Sequence, residues 1–126
     1  MKKTTRRILS LALVMCLVMA MAISASAATY NYSGTYNTVG YGVSDECNKY
    51  DVYISMGSTS STHTLFVYAD YYHKEGLVST KLDSFETERG LYSVENDDIY
   101  TAFSISYMVA KHYMNNACVH TATVNA

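Results

Sequence analysis

Tryptophan and proline are absent from this 126-residue chain, and cysteine is limited to three residues. No proline-rich or glycine/serine-rich tract separates two halves and no internal repeat is visible, so one domain is expected. Three cysteines cannot build a cysteine-rich zinc knuckle. There is no G-x-S-x-G nucleophile elbow and no twelve-residue calcium loop. The only long hydrophobic run lies at the N-terminus. Cations are also scarce: beyond residue 27 only Lys49, Lys74, Lys81, Arg89 and Lys111 face 11 acidic side chains, a formal net charge of −6. Such a surface repels phosphate backbones and anionic headgroups, which argues against a nucleic-acid partner and against electrostatic membrane attack.

What is present begins with the leader. Lys2, Lys3, Arg6 and Arg7 precede an apolar run from Ile8 to Ile23, followed by Ser24-Ala25-Ser26-Ala27. Positive start, apolar centre and small-residue exit are the order of a secretory signal peptide. The run is short for a retained membrane anchor, which needs about 20 apolar residues. Thr5-Arg6-Arg7 resembles a twin-arginine start, but the Leu, Val and Met density favours the general secretory route. Cys16 follows Met15 inside the apolar run, which does not fit a lipoprotein cysteine. The expectation is a bacterial protein secreted to the cell exterior, cleaved after Ala27. Residues 1–27 are the signal peptide, residues 28–126 a single domain, and no membrane insertion follows cleavage.

Cleavage removes Cys16 and leaves Cys47 and Cys118. An even cysteine count in an exported protein predicts a Cys47–Cys118 disulfide. It would close a loop of about 70 residues, worth on the order of 4 kcal/mol in the chain-entropy model. Two buried free thiols are the alternative.

All 13 tyrosines lie beyond the leader. Tyrosine suits half-buried sheet surfaces, and it also suits recognition faces. Residues 28–44, with four tyrosines and three glycines, read as one or two short edge strands. Tyr50, Val52, Ile54 and Met56 alternate with Asp51, Tyr53 and Ser55, a period of two that predicts a strand. Leu65, Val67, Ala69 and Tyr71 alternate in the same way with Phe66, Tyr68, Asp70 and Tyr72. His73-Lys74-Glu75-Gly76 then predicts a turn, with Leu77 to Phe85 returning as a strand paired Tyr72 to Leu77. Val78, Leu82 and Phe85 also fit a helical face. Glu86 to Asp98 reads as an acidic connection containing the apolar pair Leu91-Tyr92. A C-terminal hairpin turns at Asn115-Asn116, with Ile99, Phe103, Ile105, Tyr107 and Val109 on its inward face. Pairing Met114 with Ala117 sets Tyr113 opposite Cys118, turns Cys118 inward and separates His112 from His120 onto opposite faces. Short alternating strands without a long helix predict an all-β fold, a small antiparallel β-sandwich or barrel.

Catalytic and cofactor chemistry has little to stand on. His63, His73, His112 and His120 show no paired ligand spacing, so no metal or other cofactor is expected. Glu95, Asn96, Asp97 and Asp98 could contact calcium but read better as a solvated loop. Eleven carboxylates leave glycoside hydrolysis conceivable, yet so small a domain has little room for a deep cleft. A non-enzymatic role is expected, with a small secreted hydrolase as a minor alternative.

Gly40-Tyr41-Gly42-Val43-Ser44, followed by Tyr50 and Ser61-Thr62-His63-Thr64, resembles the N-terminal part of lactococcin-type secreted bacteriocins. The resemblance spans Gly40 to about Val67 and needs a gap. It implies a small exported β-sandwich that antagonises envelope synthesis. This chain departs from that family in being longer, more acidic and free of tryptophan. The residues themselves favour a secreted binding or interaction module acting at or outside the cell surface, on an extracellular or envelope ligand, protein or glycan. Tyr53, Phe66, Tyr68 and Tyr72 are the candidate contact residues, because they are aromatic where a strand exposed on one side is normally polar.

Overall fold

A computed structural model describes residues 29–126; the leader and its cleavage site lie outside the described residues. The chain forms eight strands: β1 (Thr29–Tyr36), β2 (Val39–Cys47), β3 (Asp51–Ser58), β4 (Leu65–Glu75), β5 (Val78–Glu86), β6 (Ser93–Ile99), β7 (Tyr107–Met114) and β8 (Ala117–Asn125). They make two separate antiparallel sheets, β1-β2-β3-β6 (sheet A) and β5-β4-β7-β8 (sheet B). The sandwich alternative is therefore the one realised, and the barrel is not. The chain crosses between the sheets at β3–β4, β5–β6 and β6–β7. The result is an open antiparallel sandwich of two four-stranded sheets.

The turns follow local chemistry. Asn115 and Asn116 both take positive φ in the two-residue turn between β7 and β8, as a hairpin turn of matching twist demands. Asn37 and Thr38 do the same between β1 and β2. Gly76 supplies the positive φ for the β4–β5 turn. That hairpin closes more tightly than expected. Glu75 pairs with Val78, so the turn is Gly76-Leu77, and His73 to Glu75 extend the strand. The return segment is a strand, not a helix.

The core forms between the sheets. The inward residues Val52, Ile54, Met56, Leu65, Val67, Ala69 and Tyr71 are all buried, and β4 alternates as expected. β3 does not: Tyr53 and Ser55 are buried too, and Tyr50 lies exposed before the strand. Strand β7 reverses the expected faces. Met108, Ala110, His112 and Met114 are buried, whereas Tyr107, Val109 and Tyr113 look outward. Lys111 alternates with that second set and cannot be buried unpaired, a signal already present in the sequence. Residues 100–106 are a loop, not the start of the strand. The acidic connection in turn contains a true strand: Ser93–Ile99 pairs along β3 at the edge of sheet A. An edge strand tolerates such polar composition because its other side faces solvent.

A bulge in β8 decides the remaining geometry. Tyr113 pairs with Cys118 as expected, but His112 pairs with His120, so Val119 is the extra residue. The slip brings the two histidines opposite one another, whereas Cys118 is exposed because its partner Tyr113 lies on the outward face of the reversed β7. Cys47 is fully buried at the end of β2, opposite Val52 in sheet A. The expected Cys47–Cys118 bridge is not formed; both thiols are free. Burial, with Asp51 a smaller influence, pushes the Cys47 thiol up to about 12. Cys118 is expected to label with a thiol reagent in native protein, and Cys47 only after unfolding. An intact mass short by about two hydrogens would restore the bridge.

Candidate functional site

The solvent-facing side of sheet B carries aromatic side chains where polar ones are normal. Cross-strand register places Phe66 opposite Tyr113, Tyr68 opposite Lys111, Asp70 opposite Val109 and Tyr72 opposite Tyr107. Phe66, Tyr68, Tyr72, Tyr107 and Tyr113 are all half-buried. Tyr72 and Tyr107 stack with centroids 4.8 Å apart and planes 11° from parallel. Phe66 and Tyr113 lie 5.8 Å apart, tilted by 45°, with the Arg89 guanidinium 4.3 Å above the Phe66 ring.

The polar groups between the rings are tied together. The Tyr68 hydroxyl donates to Asp70 at 2.9 Å, and Lys81 reaches the same carboxylate at 3.2 Å. That hydrogen bond raises the Lys81 pKa. A bulge between Tyr71 and Tyr72 in the β4–β5 pairing puts Lys81, rather than Leu82, opposite Tyr72. Leu82 turns to pack on the core instead. The irregularity thus re-aims a cation into the aromatic face.

Three of the four candidate residues, Phe66, Tyr68 and Tyr72, share this face. Tyr53 does not: it belongs to sheet A, is fully buried, and donates its hydroxyl to Glu95 at 2.8 Å. Its alternation with Val52 and Ile54 gave its parity but not its sheet. Tyr107 and Tyr113 complete the face, and the inverted reading of β7 had hidden them.

A second, buried polar cluster joins the sheets on the β1/β8 side. Asp45 of β2 and His112 of β7 are both fully buried, and His112 Nε2 lies 2.9 Å from Asp45 Oδ2 and 3.2 Å from Oδ1. The His112 Nδ1 faces the His120 carbonyl oxygen at 3.2 Å. Both ring nitrogens of His112 thus lie within hydrogen-bonding distance of oxygen atoms. Ser55 N–H donates to Asp45 Oδ1 at 3.4 Å. The His120 ring, partly exposed, stacks on Tyr32 at 4.0 Å and 9°, and its Nε2 shares a hydrogen bond with the Tyr30 hydroxyl at 2.6 Å. Tyr41 donates to the Val119 carbonyl at the bulge, and a Cβ at Gly34 would come within 2.9 Å of that same hydroxyl oxygen. Only glycine leaves room there.

Burial, then the neighbouring His112, lowers the His120 pKa below its ordinary 6.5, with Asp45 opposing. Its contribution to stability is complete above about pH 6.5 and is lost as pH falls through the lowered value. The stability advantage of wild type over His120→Gln is expected to shrink on acidification below that point. Parallel pH–stability curves for the two proteins would refute this.

The remaining clusters are already engaged. Asp98 accepts the Tyr71 hydroxyl, and Asn96 donates to the Glu86 carbonyl. His63 Nδ1 is within 3.1 Å of both the Ser60 and Thr62 hydroxyls. His73 bonds to the Ser104 carbonyl. A cavity of about 560 Å³ beside β6 is lined by Glu86, Glu88, Arg89, Glu95 and Asn96, among others. Among the described residues, no three His, Cys, Asp or Glu side chains gather as metal ligands.

No family model, no curated protein and no solved structure matches the chain. What the molecule does is therefore read from the chemistry of its own surfaces.

Proposed function

We propose that this is a secreted, non-enzymatic binding module, acting at or outside the cell surface through the outward face of sheet B. One observation carries the reading: five aromatic side chains lie half-exposed on a sheet face that no other described strand covers. Contiguous apolar surface of a few hundred Å² tends to mark an interaction site. Tyrosine supplies rigid contact area and a hydroxyl at low entropic cost. The leader-like N-terminus supports the extracellular setting, and the acidic balance of residues 28–126 argues against nucleic acid as the ligand.

The test is capture from envelope extracts by immobilised exported protein. Wild type should retain a component that the Phe66→Ala/Tyr72→Ala variant loses, with both proteins still folded. Equal retention by the two would remove this face from the function.

A further inference from the structure

We propose that the face of sheet B binds an uncharged oligosaccharide chain; the inference rests on the binding-module reading above and names its ligand class. Three features of the face favour such a ligand.

The first is charge. Of the five cations beyond the leader, Lys74, Lys81, Arg89 and Lys111 lie on or over this face. Lys81 neutralises Asp70, and Arg89 covers Phe66. Only Asp70 and Glu86 bring carboxylates to it, although the chain holds 11 acids. The two signs are interleaved along the strands, so no run of like charge is offered to a polyelectrolyte.

The second is composition. Apart from Val109 the outward positions of β4 and β7 hold no aliphatic side chain. Phe66, Tyr68, Tyr72, Tyr107 and Tyr113 are accompanied instead by hydroxyls from Ser84 of β5 and from Thr121 and Thr123 of β8. A pyranose presents C–H groups on its ring face and hydroxyls at its rim. Aromatic rings pack against the former, and carboxylate, ammonium and hydroxyl groups bond the latter. A lipid surface or an apolar protein patch would leave these polar groups unpaired.

The third is extent. The Phe66–Tyr113 and Tyr72–Tyr107 pairs stand six residues apart along β4, about 20 Å at strand rise, with Tyr68 and Asp70 between them. This is a track for an oligomer and not a pocket for a single sugar.

Full exported protein should be titrated with short uncharged oligomers of N-acetylglucosamine and of β-linked glucose, alongside the monosaccharides. Aromatic-resonance NMR would locate binding. At least one oligomer should bind, its monosaccharide should not, and raising salt should leave affinity nearly unchanged. Phe66→Ala and Tyr72→Ala should each weaken binding at least about tenfold while the fold is retained. Tyr53→Phe, on the other sheet, should leave affinity unchanged. Absence of oligomer binding, or binding that the face variants do not weaken, would overturn the inference. If envelope capture depends on the face yet the captured component is a protein, the glycan assignment falls and the binding face stands. If capture is also indifferent to the face variants, both readings fall.

Discussion

Replacing Asp45 with alanine is expected to lower the unfolding free energy by about 3–5 kcal/mol, because it leaves His112 buried without its charged partner. The side chains meet with zero exposure on either partner, between β2 of one sheet and β7 of the other. For a domain of this size such a loss is a large share of total stability. The melting temperature should fall by at least about 12 °C. His112→Ala should be comparably costly. The informative variant is the double one. Asp45→Leu with His112→Met removes both polar partners and refills their volume, and it should recover most of the single-variant loss. A double variant as unstable as the sum of the singles would mean that the pair does not act as a unit. Chemical denaturation of the four proteins measures this directly.

The second large effect separates two adjacent tyrosines. Tyr71→Ala should cost about 3–5 kcal/mol, as other large-to-small changes of buried aromatics do. Its ring is fully buried, meets Phe85 and Tyr100 edge-on, and donates its hydroxyl to Asp98 at 2.7 Å. Burial first and that bond second push its pKa well above the ordinary phenol value. Tyr71→Phe should recover most of the loss, leaving only the missing hydroxyl contact, about 1 kcal/mol. Tyr72→Ala, one residue along and on the outward side, loses a stacked pair with Tyr107 and should cost only about 1 kcal/mol. Equal destabilisation at the two positions would mean that the outward face is packed like a core, and the binding-face reading would lose its basis.

The alternating residues of β3 and β4 declared their strand character, and those of β4 their buried side as well, because a half-buried strand must place apolar groups every second residue. β3 is buried on both sides. The Asn115-Asn116 turn was equally readable, since asparagine tolerates the positive φ that a two-residue hairpin needs. The outward aromatic positions Phe66, Tyr68 and Tyr72 followed from the same parity. β6 was not legible: Glu95, Asn96, Asp97 and Asp98 suggest a loop, and only a neighbouring strand offering ladder hydrogen bonds makes them a strand.

Two decisions rest on the tertiary structure, although Lys111 already marked the outward side of β7. Which face of β7 turns inward depends on what lies opposite, and sheet A offers Asp45 as a partner for His112. Burying that pair leaves Tyr107, Lys111 and Tyr113 outside and so assembles the aromatic face. The Val119 bulge is the other. A one-residue slip exchanges every side chain beyond it between faces, and no local pattern marks where it falls. That slip sets His112 against His120, while the reversed face of β7 turns Cys118, opposite Tyr113, to solvent and away from the buried Cys47. Local periodicity determined the strands, and contacts between residues distant in sequence determined which way they face.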